Sequence, residues 1–439
     1  MNTSDDSVRL PLPAHAPGAV VVALSGGLDS SVLLHALAAL PDYRARGLRA
    51  LHVHHGLHAA ADAWQAHCEN FCAALGVALE VRPVAVERDS GLGLEGAARA
   101  ARRGAFADSL RPGEWLALAH HRDDQAETFL LRALRGSGSE GLAAMQAQAA
   151  FAAGQLWRPL LALPRALLIE YAERHGLHWI EDPTNAELQH DRNFLRHQVM
   201  PLLRQRWPHA DAALAASAGL SGQASALLGV QEEAWLSRHV NGNRLDLDAL
   251  RCAPPAQRAR LLRRWVAQSA APPLPARGVL ALENEVLERD DGARFAWHGV
   301  EIRRWRGGLH LLQALPAWPP DWQADWDGSA PLLLPDGGSL VLHSAEAFPT
   351  PLQVRARRGG ERLHLPGRAH SRPLKHLLQE SALPPWQRST LPLLWDGEEL
   401  LAAGAELISA QLSQWLREHD ARLRWHPPEL TDPAAPRTL

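Results

Sequence analysis

A chain of 439 residues, 46% of them hydrophobic, has enough apolar content for two or three domains with a core each. Its net charge of −3 gives no whole-chain signal for a polyanionic partner, although a local basic patch could still bind one. No stretch approaches about 18 uninterrupted apolar residues, Asp5 and Asp6 precede no apolar signal segment, and Cys68, Cys72 and Cys252 lack C-x-x-C spacing, so membrane insertion, export, disulfides and structural zinc are not expected and a cytoplasmic location is.

Ala19 to Leu24 is a valine-rich run of strand length that leads into Ser25-Gly26-Gly27-Leu28-Asp29-Ser30, and Ser31 to Leu40 has helical apolar spacing. In such a strand, loop and helix, glycines admit a phosphate close to the backbone, successive amide N–H groups form an anion nest, and the helix points its positive end at the same anion. Asp29 is then placed to hold the Mg²⁺ of a nucleoside triphosphate. A plain glycine turn capped by Ser30 would leave the paired serines and the aspartate unexplained. The loop resembles the PP-loop of the ATP pyrophosphatases, which implies adenylation of a substrate oxygen with release of pyrophosphate.

Leu48 to Val53 predicts a second strand, ending in His52-Val53-His54-His55-Gly56-Leu57. In a doubly wound sheet this end faces the nucleotide, so the backbone around His54 is expected on adenine. No carboxylate or thiolate set adjoins these histidines to make a metal site. Ala60 to Leu75 predicts a helix, Leu79 to Val84 a strand, and Glu95 to Ser109 a helix on which Arg99, Arg102 and Arg103 share a face. Phosphate binding and a solvated stripe fit that spacing equally.

Trp115 to Ala119 predicts a strand and Asp123 to Leu134 a helix, joined through His120-His121-Arg122-Asp123-Asp124-Gln125-Ala126-Glu127-Thr128. Asp124 and Glu127 lie three apart, and Asp123 and Glu127 four apart, so their carboxylates are expected together at the amino-terminal end of the helix. They could bind a second metal, act as base or receive a cationic substrate. Helix-dipole preference would explain the acids but not the double histidine and Gln125. The alternation as a whole predicts an α/β, Rossmann-like parallel sheet with ligands outside the carboxyl ends of its strands.

Farther on come Trp157-Arg158-Pro159-Leu160-Leu161, Glu181-Asp182-Pro183-Thr184-Asn185 and Asp191-Arg192-Asn193-Phe194-Leu195-Arg196. Arg192 and Arg196, one turn apart, suit a phosphate or a carboxylate, and a surface pair fits the spacing as well. Helical, Ala- and Arg-rich sequence runs to about Leu287, with strand-like pieces near Ala296 to Arg304, and Pro316 to Pro335 has no periodicity. Lys375 is the only lysine, and its context Pro373-Leu374-Lys375-His376 matches neither a P-loop nor a self-adenylating ligase. Around it, Val354 to Leu377 holds Arg355, Arg357, Arg358, Arg362, Arg368, Arg372 and Lys375 with Glu361 as the single acid, a phosphate-binding surface or a solvated basic face.

The collinear order of S-G-G-L-D-S, H-V-H-H-G-L, the Glu95 helix, H-H-R-D-D-Q-A-E-T, R-P-L-L, E-D-P-T-N and R-N-F-L-R resembles the tRNA(Ile)-lysidine synthetase family over roughly residues 20 to 203 and onward into the carboxyl-terminal part. Where that family carries asparagine between the histidines this chain has His54, and where it carries tyrosine after the second helix arginine it has Arg103. The resemblance implies adenylation of the wobble cytidine in the CAU anticodon of an isoleucine tRNA at its C2 carbonyl oxygen. Free L-lysine then displaces AMP, and decoding changes from AUG to AUA.

Carried onto this sequence, residues 25 to 30 and His54 serve ATP, and Asp29 serves Mg²⁺. Asp124 and Glu127 receive the lysine ammonium, and Arg99, Arg192 and Arg196 face phosphate or substrate carboxylate. The basic segment contacts tRNA. The expected organisation is a PP-loop (adenine nucleotide alpha hydrolase-like) catalytic domain over residues 1–205, a mainly helical tRNA-contacting domain over 206–315, a linker over 316–338 and a small basic α+β domain over 339–439. A homodimer is left open. A PP-loop tRNA thiolase is the rival enzyme, although Cys68 and Cys72 read as buried hydrophobes. A non-catalytic RNA-binding scaffold is the rival from another class.

Overall fold

The computed structural model describes residues 10–12, 18–86, 93–269, 271–288, 292–314, 318–343, 346–368, 370–381 and 383–428, without the side chains of Glu95, Asn185 and Ala186. The chain divides into two compact units, Met1–Gly229 and Val230–Leu439.

The first unit runs β1 (Val20–Ala23), α1 (Leu28–Ala38), α2 (Pro41–Arg46), β2 (Leu48–His54), α3 (Ala61–Leu75), β3 (Ala78–Pro83), α4 (Gly93–Ser109), β4 (Trp115–Ala117), α5 (Arg122–Leu134), α6 (Ser139–Leu142), β5 (Gln148–Phe151), β6 (Gly154–Trp157) and α7 (Arg165–Arg174). The strands form one sheet in the order β3-β2-β1-β4-β6-β5. Side chains alternate across it. Val20 and Val22 face Leu33, Leu37, Cys68 and Trp157, while Val21 faces Ala105, Phe106 and Leu116. With both faces covered, β1 has to be apolar throughout, which is why its run is continuous. Each of the fully buried Leu33, Leu34 and Leu37 contributes about 2 kcal/mol of apolar burial.

The sheet is parallel from β3 to β6, as the alternation predicts, but β5 pairs antiparallel with β6. That hairpin was not legible, because residues 148–157 are mostly Ala, Gly and Gln without a period of two. Its turn is fixed by packing. A Cβ on Gly154 would lie 2.2 Å from the Glu114 carbonyl oxygen. Cys68 and Cys72 are core residues, and burial pushes their thiols up to about 12 and about 11.

Ala210–His239 is a single helix of 30 residues running across the division between the units. By length and composition it is the one described helix able to cross a membrane, where none was expected. Its apolarity is that of alanine, interrupted by Ser217, Ser221, Gln223 and Ser225.

In the second unit, helices Leu247–Cys252, Pro255–Gln268 and Ala276–Ala281 pack on a five-stranded antiparallel sheet built from residues 240–241, 244–246, 294–297, 300–305 and 308–313. The strands there are more extensive than the helical texture suggested. A further five-stranded sheet and a three-stranded sheet enclose another core. Residues 316–338, expected as a linker, supply strands Gln323–Trp326 and Leu332–Leu333 and bury Trp326 and Leu334.

Candidate active site

The glycine loop is closed by its own serines. Ser30 Oγ accepts from Ser25 N–H at 3.2 Å and donates to the Gly27 carbonyl at 3.0 Å, and the two hydroxyls are 3.1 Å apart. Gly27 is the N-cap of α1, so Asp29 lies in the first helical turn rather than in the loop before it. Gly26 has φ +83°, and a Cβ there would meet Ile180 Cδ1 at 2.7 Å and Cys68 Sγ at 3.1 Å. Its carbonyl also accepts from Ile180 N–H at 2.9 Å. Gly27 has an ordinary φ of −75° and its added Cβ would come no closer than 3.5 Å, to Ser25 Oγ. Gly26→Ala is therefore expected to destabilise the nucleotide-free protein by roughly 1–3 kcal/mol through backbone strain, and Gly27→Ala by under about 1 kcal/mol. Urea unfolding of both variants checks this, and equal midpoints would refute the steric argument.

Asp29 projects between an imidazole and a guanidinium. Its Oδ2 is 3.7 Å from His121 Nε2 and its Oδ1 is 3.7 Å from Arg165 Nε, while Oδ1 is buried with no hydrogen-bond partner. Burial pushes its carboxyl above the usual range, and His121 and Arg165 offset only part of that. Arg165 carried no sequence signal. It is the first residue of α7, and its backbone N–H donates to Asp123 Oδ1 at 3.1 Å.

His121 caps α5. Its Nδ1 accepts from Asp124 N–H and its own N–H donates to Asp124 Oδ2 at 3.1 Å, a reciprocal capping box. Its Nε2 then faces Asp124 Oδ2 at 3.3 Å and Asp29 Oδ2 at 3.7 Å, linking the loop to the acids. Asp124 and Glu127 come together as expected, but with Arg192 and Arg196. Glu127 accepts from Arg192 Nε at 3.0 Å and Arg196 Nε at 2.7 Å, and Asp124 Oδ1 accepts from Arg192 Nη2 at 2.9 Å and Arg196 Nη2 at 2.8 Å.

Arg192 lies in the short helix Asp191–Phe194, and Arg196 in the π-helical turn Leu195–Val199 that follows. Burial alone would raise the Asp124 carboxyl, but His121, Arg192, His120 and Arg196 together bring it below the usual range. Burial works against the charge of Arg196 too, yet its bonds and attraction to Glu127, Asp124 and Asp29 hold it firmly protonated. Asp123 does not join Glu127. It turns to Arg204, 3.2 Å away, which also pairs with Asp211.

Beside these acids opens a cavity of about 920 Å³, lined by His54, Trp64, His120, Asp124, Arg192 and Arg196 among others. That is roomy enough for a nucleoside and an amino acid side by side, since ligand sites run to about 1,000 Å³. Residues 25–30 do not line it, so the loop and the cavity are neighbours bridged by His121. His54 bonds Asp62 at 3.0 Å, and His52 Nδ1 bonds the Leu24 carbonyl at 2.9 Å, tying β2 to the end of β1. Burial drives the His120 imidazole down to about 3, and its Nδ1 accepts from Arg158 Nε at 3.2 Å. The neutral ring therefore carries its proton on Nε2.

Arg99 is exposed on α4. In the basic segment of the second unit, Arg355 donates to the Gly397 carbonyl and lies over Trp395. Arg357 is 3.7 Å from buried Glu361, Arg358 bonds the Pro320 carbonyl, Arg362 bonds Ser371, and Arg372 pairs with Glu380. Arg368 and Lys375 are exposed. Much of the run is thus committed to its own fold, around an acid that spacing alone could not assign.

Three family models match the chain: the PP-loop domain over residues 5–203, the TilS substrate binding domain over 245–310 and the TilS substrate C-terminal domain over 352–425. A solved structure of a U34-tRNA thiolase from Methanococcus maripaludis is 17% identical and overlaps 46% of this chain and 70% of that one with a TM-score of 0.37, too distant to compare chemistry. The tRNA(Ile)-lysidine synthase of Serratia proteamaculans (strain 568) is 42% identical over 97% of this chain and 99% of its own. That of Xanthomonas campestris pv. campestris (strain 8004) is 60% identical over 94% of this chain and 96% of its own. At such identity along nearly the whole of both chains, this chain belongs to the tRNA(Ile)-lysidine synthase family.

Proposed function

We propose that this chain uses ATP to join L-lysine to C2 of the wobble cytidine in the CAU anticodon of isoleucine tRNA. The observation that carries the proposal is the charge-balanced cluster of Asp124, Glu127, Arg192 and Arg196 on the cavity wall, linked through His121 to Asp29 beside the glycine loop. In the first step the cytidine C2 oxygen attacks the α-phosphorus of ATP and pyrophosphate leaves. In the second a lysine amine attacks C2, AMP leaves, and the amine gives up its proton.

The loop N–H groups and the start of α1 cradle the departing pyrophosphate. The buried, unpartnered Oδ1 of Asp29 fits a cation, and a single carboxylate suits Mg²⁺, which takes its other ligands from phosphates and water. Mg²⁺ bound there would neutralise phosphate charge. Arg165 adds a second cation at the same point. Lysine is a zwitterion and matches the four-residue cluster. Its ammonium replaces guanidinium at Asp124 and Glu127, and its carboxylate takes the freed face of Arg192 or Arg196. The Nε2–H of His120 supplies a neutral donor to the base or its adenylate.

In this reading residues 1–205 carry the chemistry, while 206–315 and 339–439 hold the tRNA, with Arg355, Arg357, Arg358, Arg362, Arg368, Arg372 and Lys375 on its backbone. A homodimer is tested by sedimentation. Sulfur transfer is disfavoured by Cys68 and Cys72, whose buried thiols are held protonated. The deciding experiment incubates the protein with unmodified isoleucine tRNA transcript, ATP and labelled lysine, followed by nucleoside analysis. Lysidine with equimolar AMP is expected, and AMP release without labelled nucleoside would refute the reading.

A further inference from the structure

A second basic cluster adjoins His120 through Arg158. Segment 141–151 is held by three arginines from different elements. Arg132 of α5 donates to the carbonyls of Gly141 and Ala144, both at 2.8 Å, Arg158 after β6 donates to that of Gln146 at 2.6 Å, and the Arg103 guanidinium of α4 lies 4.7 Å above the Phe151 ring. Arg99 stands one turn before Arg103 on the same face of α4.

The guanidiniums of this cluster repel one another. Burial, then Arg103, Arg132 and Arg99, pull Arg158 down to about 10, and burial with Arg99 lowers Arg132. Among the described residues none of the four makes an ion pair with a carboxylate, whereas Arg192, Arg196 and Arg204 nearby all do. A fold gains nothing from crowding like charges, so a cluster with no carboxylate partner among the described residues points to a ligand. Arg99 and Arg103 are exposed and Arg132 and Arg158 half-buried, which leaves donors facing outward.

We infer that Arg99, Arg103, Arg132 and Arg158 form a binding site for backbone phosphates of single-stranded RNA, next to the nucleotide whose base enters the cavity. The inference rests on the RNA-modifying reading above and gives the RNA a second point of attachment. Phosphate could also come from the triphosphate of ATP, but no contact joins these arginines to residues 25–30, whereas Arg158 touches the cavity wall at His120. RNA leaving the cavity past His120 would meet the cluster first at Arg158.

The test measures binding of a CAU anticodon stem-loop across a KCl series, and of α,β-methylene-ATP separately, for the wild type, the double variant Arg99→Gln/Arg103→Gln and the single variant Arg99→Gln. The double variant is expected to bind the stem-loop about tenfold more weakly at moderate salt, with a log–log salt slope shallower by about 1.4, and the single variant by about 0.7, the single-strand value per phosphate. Nucleotide affinity should stay within about twofold, since no phosphate contact of the loop is touched. Among the described residues Arg99 makes no hydrogen bond or ion pair, so the single variant tests the site even if the double variant folds poorly. Wild-type affinity and slope in Arg99→Gln would overturn the inference, as would loss of nucleotide affinity with RNA binding intact. Lysidine formation by the wild type is scored separately, so failure of the activity and failure of the arginine site give different results.

Discussion

Asp29→Asn is expected to cut AMP formation at least about a hundredfold, equivalent to about 3 kcal/mol of transition-state stabilisation, while making the ligand-free protein more stable at neutral pH. Both effects have one origin. The Asp29 carboxyl is raised above its unfolded value because it is buried and its neighbours His121 and Arg165 stay 3.7 Å away. A group raised in this way favours the fold below its unfolded pKa, and that contribution is lost as pH rises through the folded value. At pH 7 the ionised carboxylate is therefore a burden on the empty protein, which asparagine removes. The measurement is pyrophosphate release together with melting of both proteins at pH 4 and pH 7. The variant should gain on the wild type as pH rises, and a less stable variant with normal AMP formation would end this account.

Glu127→Gln should lose on both counts. With the carboxylate 2% exposed and bonded to two guanidiniums, replacing it by a neutral amide leaves Arg192 and Arg196 short of counter-charge. Removing one partner of a buried pair costs about 3–5 kcal/mol, and because both arginines keep about a third of their side-chain surface in water the expected loss is nearer 2–3 kcal/mol. Lysine KM should rise at least about tenfold, with adenylation less affected, since an ammonium loses a charged partner. Asp124 sets the pH limit. Its lowered carboxyl contributes stability above the ordinary carboxylate range that is lost as pH falls through the folded value, so the cluster should loosen in acid before the rest of the unit. Urea unfolding and lysine titration of Glu127→Gln check this. Wild-type values in both would show that the cluster neither holds the fold nor binds lysine.

What could be read from sequence was what lies close along the chain. The strand through Val20–Ala23, the loop after it, and the i, i+3 pair Asp124 and Glu127 are local patterns, and the fold places them much as expected. Partners distant in sequence were not legible. Nothing in the sequence around Arg165 points to Asp29, and nothing around Arg158 points to His120. Asp123 shares helical spacing with Glu127, but two carboxylates repel, and Asp123 pairs with Arg204 across elements instead. Residues 316–338 lack periodicity because their strands are two and four residues long, too short for alternation to show.

Ile180 both packs its Cδ1 against Gly26 and donates its N–H to the Gly26 carbonyl, and two residues later Asp182, with Thr184, forms part of the cavity wall. The phosphate loop and the wall are thus tied together through one residue, Ile180. A nucleotide that displaced Gly26 would bear through Ile180 on the wall where the second substrate rests, and a substrate on the wall would bear back on the loop. By linkage each must change the affinity of the other by the same factor. A substitution at Ile180, which does not line the cavity, is therefore expected to weaken the coupling between the two halves of the site.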